Sequence, residues 1–245
     1  NYAKYYSHPK WLINKWINAM GNNKTHALIK WNNKNPATWF RINTHVLSVN
    51  DFKEYLNSNN INHEVFEEIN TFFKVENSQL ILNSYFFKEG KIYAQNPSSG
   101  LVAKLVDPKS NEIIIDLCSS PGGKTSHMSE LLNNKGKIFA YDISPNRIKM
   151  LNDTIKRMKI KNVVSNLSDI RKSKIEIGDK ILIDAPCTGT GAISKHPDIK
   201  WRRKCSDIKE MQSLQKHLLA SAAKQIKNNG TIIYSTCSLE NEENW

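Results

Sequence analysis

Two cysteines close two apolar runs of strand length. Cys187 stands in Ile-Leu-Ile-Asp-Ala-Pro-Cys-Thr-Gly-Thr-Gly (181–191), and Cys237 in Thr-Ile-Ile-Tyr-Ser-Thr-Cys-Ser (231–238). A thiol suits nucleophilic addition near neutral pH, because a fraction is already thiolate and sulfur is intrinsically reactive. Each run opens into a polar turn, and open parallel sheets bind ligands beyond the carboxyl ends of their strands. Two thiols at such ends can divide one covalent reaction between them. Asp184, three positions before Cys187, brings a carboxyl to the same strand end. Taken singly, either cysteine also reads as core packing and Asp184 as an acid that holds a ligand. Asp-x-Pro-Cys and Ser-Thr-Cys-Ser on two strands of one sheet favour catalysis. Cys118 and Cys205 lack that setting and read as structural.

A second loop carries a different chemistry. Asp116-Leu117-Cys118-Ser119-Ser120-Pro121-Gly122-Gly123-Lys124-Thr125 follows another strand-like run. Paired glycines between strand and helix let a ligand approach the backbone. A phosphate-binding Walker A loop needs glycine where Cys118 stands, and the dinucleotide fingerprint is absent. S-adenosylmethionine, an adenosine without phosphate, needs backbone proximity and acceptors for hydroxyls instead. Asp142 follows Gly123 by 19 positions, near the spacing of about 20 residues expected of a ribose-binding acid. It also reads as a helix cap before Ser144-Pro145. Asp169, after the next strand, suits either an adenine amino group or a turn.

These residues need a scaffold. Strands are expected at Ile113–Cys118, Lys137–Asp142, Asn162–Leu167, Ile181–Ala185 and Thr231–Thr236, with helices at Thr125–Leu132, Ser144–Met158 and Met211–Ile226. That alternation predicts parallel βαβ units in a doubly wound α/β sheet. The first 90 or so residues differ. Helical spacing of Trp11, Leu12, Trp16 and Ile17 predicts a helix closed by Gly21. Trp39–Asn43 reads as a strand, and Ser48 caps a helix over 49–58 with Asp51 three residues on. Phe72–Val75 and Leu80–Leu82 read as strands, and Phe86–Tyr93 as a hairpin turning at Glu89-Gly90. The expected organisation is a small α+β domain over 1–92 and the doubly wound domain over 93–245. Aromatic and basic residues of the first domain either contact RNA or form its core. The chain ends soon after the fifth strand, where such sheets often continue, so further sequence is expected after it.

The 245 residues carry a formal charge of +12, which favours a polyanionic partner and otherwise reflects a lysine-rich surface. The four cysteines form no Cys-x-x-Cys pair and the seven histidines no ligand spacing, so no metal is expected. Reduced thiols suit an intracellular, reducing compartment. No apolar run reaches membrane-span length and no signal peptide is visible.

Residues 116–125, 184–191 and 234–238 together resemble the NSUN/Sun family of RNA cytosine-5 methyltransferases. Gln95-Asn96-Pro97-Ser98-Ser99 is similar to a short motif before that family's catalytic domain, and Pro197-Asp198 with Trp201 to the continuation of its Pro-Cys motif. Pro9-Lys10-Trp11-Leu12 and Phe40-Arg41-Ile42-Asn43 resemble its N-terminal RNA-facing domain, especially in the bacterial ribosomal-RNA branch. Departures are Asn96 where many members have Asp, Lys195-His196 for a basic pair, and Ser119-Ser120 for Ala-Ala.

The resemblance implies a Rossmann-like methyltransferase sheet that uses S-adenosylmethionine. It implies cofactor contacts at Cys118, Ser119, Ser120, Pro121, Gly122, Gly123, Lys124, Asp142, Arg147, Asp169 and Asp184. It assigns attack on cytosine C6 to Cys237 and assistance in product release to Cys187. Asp184, if it holds a proton, donates to cytosine N3, and Lys124 orients Asp184 or the base. The implied partner is RNA, ribosomal first and transfer RNA second, with a monomeric enzyme in the cytoplasm, nucleolus or an organelle. Rival readings are a DNA cytosine methyltransferase attacking through Cys187 and a non-catalytic RNA-binding ribosome-assembly factor. In every case RNA binding should weaken steeply as salt rises, with log K falling linearly in log salt. Titration of binding across about 50–200 mM salt checks this, and salt-insensitive binding counts against phosphate contacts.

Overall fold

In Trp39–Ile42 (β1), Phe40 and Ile42 point to one side and Arg41 to the other, because successive strand residues alternate faces. All three are fully buried in the computed structural model, which describes residues 2–244. Both faces of this strand are therefore covered. Strand β1 pairs antiparallel with Phe72–Val75 (β3) and Ile92–Ala94 (β4), and His63–Val65 (β2) pairs with β3, giving the order β2-β3-β1-β4. Phe40 and Ile42 meet Phe52, Leu56, Phe73, Ile81 and Ile92 in one apolar core. The helix Val49–Ser58 supplies Phe52 and Leu56, and its first turn is capped by the Asp51 N–H donating to Ser48 Oγ at 3.1 Å.

The other face of β1 meets the helix Gly123–Leu131. Arg41 Nη1 donates to Gln95 Oε1 at 2.9 Å and to the Gly123 carbonyl at 3.1 Å. Its Nη2 donates to Ser126 Oγ at 2.8 Å and lies 2.9 Å from Glu130 Oε1, off the line of a good hydrogen bond. The helix Pro97–Val106 adds a second clasp. Its Gly100 leaves no room for a side chain, since a Cβ there would fall 2.4 Å from Phe72 Cζ.

The second sheet is wholly parallel. Ile113–Leu117 (β5), Lys137–Asp142 (β6), Val163–Leu167 (β7), Gly178–Asp184 (β8) and Ile226–Ser235 (β9) take the order β7-β6-β5-β8-β9. Helices Gly123–Leu131, Pro145–Arg157 and Cys205–Ala223 make crossovers between these strands. The order reverses between β5 and β8, which makes the carboxyl ends of these two strands the binding crevice of such a sheet. Ile114, Ile138 and Leu182 from three adjacent strands pack with Ala103, Val106 and Met128.

By packing, the chain divides into two compact units. One holds Ala37–Asp184 and Leu218–Ser235, with both sheets; the other holds the chain up to Pro36, Ala185–His217 and the part from Thr236 on. The second unit is built on the helix Lys10–Asn32, whose Leu12, Ile13, Trp16 and Ile29 pack with Ile193. Among the described residues no helix is long and apolar enough to cross a membrane.

Three local expectations are corrected. Gly21, at φ +83°, kinks the first helix, which resumes to Asn32. Leu80–Leu82 is helical within Ser78–Asn83, because Ile81 alone is turned into the core. Phe86–Tyr93 is no hairpin, since Tyr85–Lys88 forms a helical turn that leads into β4.

Burial raises the Glu130 carboxyl to about 8 against the opposing pull of Arg41. Replacing Arg41 with Met removes that pull and strands Glu130. It also removes the bonds Arg41 donates to Gln95, Gly123 and Ser126, and each buried acceptor left unpaired costs about 1–3 kcal/mol. A folded acid raised above its ordinary value of 4.5 keeps a proton that the unfolded chain releases, so stability falls as pH climbs toward 8. In Arg41→Met that fall should extend to still higher pH, as urea midpoints taken below and above pH 8 will show.

Candidate active site

Beyond β5 the chain must turn tightly to start a helix. Cys118 takes a left-handed conformation at φ +61°, the Ser119 N–H donates to the Tyr141 carbonyl at 3.0 Å, and the Gly122 N–H donates to the Ser119 carbonyl at 2.9 Å. Gly122, at φ +101°, is required twice over, because a Cβ there would also meet Leu151 Cδ1 at 2.9 Å. Ser120 Oγ donates to the Arg147 carbonyl, and the Pro121 carbonyl accepts from Thr154 Oγ1, each at 2.8 Å. The loop is thereby pinned to the helix Pro145–Arg157 on its far side.

Asp142, almost fully buried at the end of β6, serves both readings left open by the sequence. Its Oδ1 accepts the Ser144 N–H at 3.1 Å, as a cap does. Its Oδ2 is buried, has no hydrogen-bond partner, and lies 3.8 Å from the largely exposed Arg147 guanidinium. A buried acceptor left over in this way suits a ligand hydroxyl. Asp169 is held in a turn, with Arg171 Nε and Nη2 donating to it at 2.8 and 2.7 Å. That pairing keeps its carboxyl below the usual range, and an adenine amino group would share the carboxylate with Arg171.

At the end of β8, Asp184 Oδ2 accepts from Lys124 Nζ at 2.6 Å, a short charge-assisted bond. Tyr93, Gln95, Asn96, Ser119, Lys124 and Asp184 help line a pocket of about 230 Å³. Asp116, fully buried at its wall, accepts from Thr125 Oγ1 at 2.6 Å while its Oδ1 has no partner. Burial lifts the Asp116 carboxyl to about 7, and the nearby Asp184 and Asp142 add to the rise. The Cys118 thiol is pushed up to about 12 by burial and the same three carboxylates, so it stays protonated. Acids gathered beside open backbone fit a ligand that is cationic and rich in hydroxyl groups. The residues present thus fit S-adenosylmethionine, which carries a sulfonium, an ammonium and a ribose diol.

In the other unit, Cys187 Sγ and Cys237 Sγ lie 3.2 Å apart, a hydrogen-bonded distance with no disulfide. Cys237 is exposed and Cys187 half-buried. The bond to Cys237, followed by burial, pushes the Cys187 thiol far up. Gly191 permits this approach, because its N–H donates to the Cys237 carbonyl at 2.9 Å and a Cβ would fall 2.8 Å from that oxygen. Arg203, which the sequence did not single out, donates to the Cys187 and Thr188 carbonyls at 3.1 and 3.0 Å. Gln215 holds the Pro186 carbonyl at 2.9 Å. Trp201 is exposed, and Asp198 pairs with Arg202 one helical turn on.

A five-stranded parallel sheet with its ligand loop after the first strand, joined to a smaller antiparallel sheet, defines a Rossmann-like methyltransferase fold with an added N-terminal domain. The family described as 16S rRNA methyltransferase RsmB/F matches residues 103–245, and the ferredoxin-like domain of RsmF/B-like proteins matches residues 8–80. The chain belongs to the RsmB/F family. It is 31% identical to the probable ribosomal RNA small subunit methyltransferase B of Bacillus subtilis, over 97% of this chain and 54% of that protein. It is 33% identical to the ribosomal RNA small subunit methyltransferase B of Cronobacter sakazakii, over 97% of this chain and 56% of that protein. A solved structure of a methyltransferase homolog protein from Pyrococcus horikoshii superposes with a TM-score of 0.86 at 32% identity, covering 99% of this chain and 77% of that one. The chain spans about half the length of the curated relatives it matches.

Asp116 gives a test of the pocket's electrostatics. Its folded value near 7 against 3.8 means that its contribution to stability is complete below 3.8 and is lost as pH rises through 7. Asp116→Asn keeps an acceptor for Thr125 and carries no titrating proton. The difference in unfolding free energy between the two proteins should therefore change across that window and be flat above it, as urea unfolding at a series of pH values will check.

Proposed function

We propose that this protein transfers a methyl group from S-adenosylmethionine to C5 of a cytosine in RNA, with small-subunit ribosomal RNA as the substrate class. The observation that carries the reading is the thiol pair: one exposed sulfur, Cys237, 3.2 Å from a second, half-buried one, Cys187. Two residues separate Asp184 from Cys187, and one separates Ser235 from Cys237, so the sequence ties both thiols to the strand ends of the cofactor sheet. The names of the curated relatives support ribosomal RNA, and the net charge of +12 suits a phosphate backbone. In this reading residues 1–92 face RNA, residues 93–245 hold the chemistry, and the reactive thiols need a reducing compartment such as the cytoplasm.

Cytosine C5 is a poor nucleophile until sulfur adds to C6. Cys237 thiolate forms the C6–S bond, the C5–C6 double bond opens, and the Lys124–Asp184 pair supplies a proton to N3. When bound, S-adenosylmethionine would supply an electrophilic methyl group to the enamine carbon C5, its sulfur–methyl bond breaking to leave neutral S-adenosylhomocysteine. The Gly122-Gly123 loop, Asp142 and Arg147 would orient the donor, and the acids Asp116 and Asp184 would attract its positive charge. Release needs the C5 proton removed and the C6–S electron pair returned to Cys237. Cys187 gives its proton to the departing sulfur and takes the C5 proton, ending as it began. The N3 proton returns to the Lys124–Asp184 pair. Because the ring must be reached from its face, the target cytosine lies in unstacked RNA.

Cys237→Ala should lower methyl transfer by more than about 10³-fold. Cys187→Ala should instead leave RNA attached to the protein, visible as a denaturant-resistant band on a gel. Bisulfite sequencing of RNA from cells with and without the protein reads the product and the site. Normal methylation by Cys237→Ala would sink the assignment of the nucleophile.

A further inference from the structure

The two thiol-bearing loops meet on one buried carboxylate. Glu243 Oε2 accepts from the Thr188 backbone N–H and from Gln215 Nε2, each at 2.9 Å. Its Oε1 accepts the hydroxyl protons of Thr188 and Ser238 in two short bonds. Thr188 directly follows Cys187, and Ser238 directly follows Cys237. An ionised carboxylate is acceptor-only, with about four lone-pair directions, and here four donors fill them. With both hydroxyl protons committed to Oε1, the 3.1 Å contact between Thr188 Oγ1 and Ser238 Oγ carries no proton of its own. Ser238 Oγ is then free to accept the Glu240 N–H at 3.1 Å.

The neighbouring residues extend the clasp. Thr236 Oγ1 donates to Asn244 Oδ1 at 2.8 Å, and Asn244 Nδ2 donates to the Ser238 carbonyl at 3.1 Å, so the positions on both sides of Cys237 are fixed. Gln215 bonds the Pro186 carbonyl as well as Glu243, so the positions on both sides of Cys187 are fixed too.

We infer that Glu243 is a positioning residue that sets the separation of Cys187 and Cys237 and so determines which thiol attacks. The inference rests on the reading of Cys237 as nucleophile and Cys187 as proton carrier. An amide in place of the carboxylate would present its NH₂ to donors that have no lone pair to offer, the Thr188 N–H and the Gln215 NH₂, or would force both hydroxyls to turn. Either outcome separates the loops. A displacement of about 1 Å between reacting groups can cost about 10²-fold in rate.

The test is the isosteric Glu243→Gln in the full chain, read by mass-spectrometric rates of iodoacetamide alkylation at each cysteine. In the unaltered protein Cys237 should react faster than Cys187, since it is exposed and its partner is half-buried. In Glu243→Gln that preference should shrink by about tenfold or more. The kcat of methyl transfer should fall by about 10²-fold, with the Kd for S-adenosylmethionine unchanged. Alkylation needs neither RNA nor cofactor, so selectivity lost in Glu243→Gln while the unaltered protein transfers no methyl group would overturn the proposed function and leave the positioning role. An unchanged ratio, or a common decline of both thiol rates and cofactor binding, overturns the positioning role. Should Glu243→Gln not fold, Ser238→Ala removes one bond to Oε1 and must still shift the ratio.

Discussion

Parallel register is the constraint on which this protein depends. The ladder sets Asp116 opposite Ala140 on one side and Leu182 on the other, Asp142 opposite Leu167, and Asp184 opposite Ser235. Strands that start in step also end in step, so five different stretches of sequence deliver their polar turns to one edge. Cys118, Asp142, Asp169 and Asp184 lie at or within two residues of a strand end. None needs a long loop to reach its place, and short connections lose little conformational entropy when they are ordered. The reversal of strand order between β5 and β8 adds the opening, since crossovers depart in opposite directions from that point. Hydrophobic burial holds the ladder: Ile114, Ile115, Ile181 and Ile183 are fully buried, and each contributes about 1.5–3 kcal/mol of transfer free energy.

The same edge concentrates acid. Burial of Asp116 is unfavourable for its ionised form, and its single partner Thr125 does not remove that cost. Stability alone would favour an apolar residue at that position. A carboxylate that costs free energy in the empty fold is repaid when a cation binds beside it, and S-adenosylmethionine is a cation in aqueous solution. Lys124 limits the accumulation by pairing with Asp184. Cys118, held near 12 by the same surroundings, contributes backbone geometry and no nucleophile.

Local patterns in the sequence announce what is local. Ile113–Leu117 and Ile181–Asp184 are apolar runs closed by polar turns, and the glycine loop reads as a ligand loop because Gly122 needs a positive φ that other residues resist. Leu80–Leu82 misleads because three apolar residues suit a strand or one turn of helix equally, and only tertiary packing of Ile81 decides. The helix Pro97–Val106 has local start signals, with Asn96 Oδ1 accepting the Ser98 N–H at 3.0 Å and Pro97 in the first turn. Arg41 and Glu243 are different in kind. Each is a charged residue whose burial no local pattern announces, Arg41 inside an apolar strand and Glu243 in a polar run, and each is buried because its partners come from segments distant in sequence: Gln95, Ser126 and Glu130 for Arg41, and Thr188 and Gln215 for Glu243. No periodicity encodes such meetings.

Cys187 and Cys237 illustrate how environment makes one residue type behave in two ways. Identical groups placed 3.2 Å apart cannot both be thiolates without strong repulsion, so the pair carries at least one proton. Which sulfur keeps it is decided by surroundings. The bond to Cys237 disfavours the Cys187 anion most, and burial and the Glu243 charge act in the same direction. Cys237 is exposed, and the S–H of its neighbour is available to stabilise negative charge on it. The asymmetry of solvation and charge between the two sulfurs is therefore built into the fold before any substrate arrives.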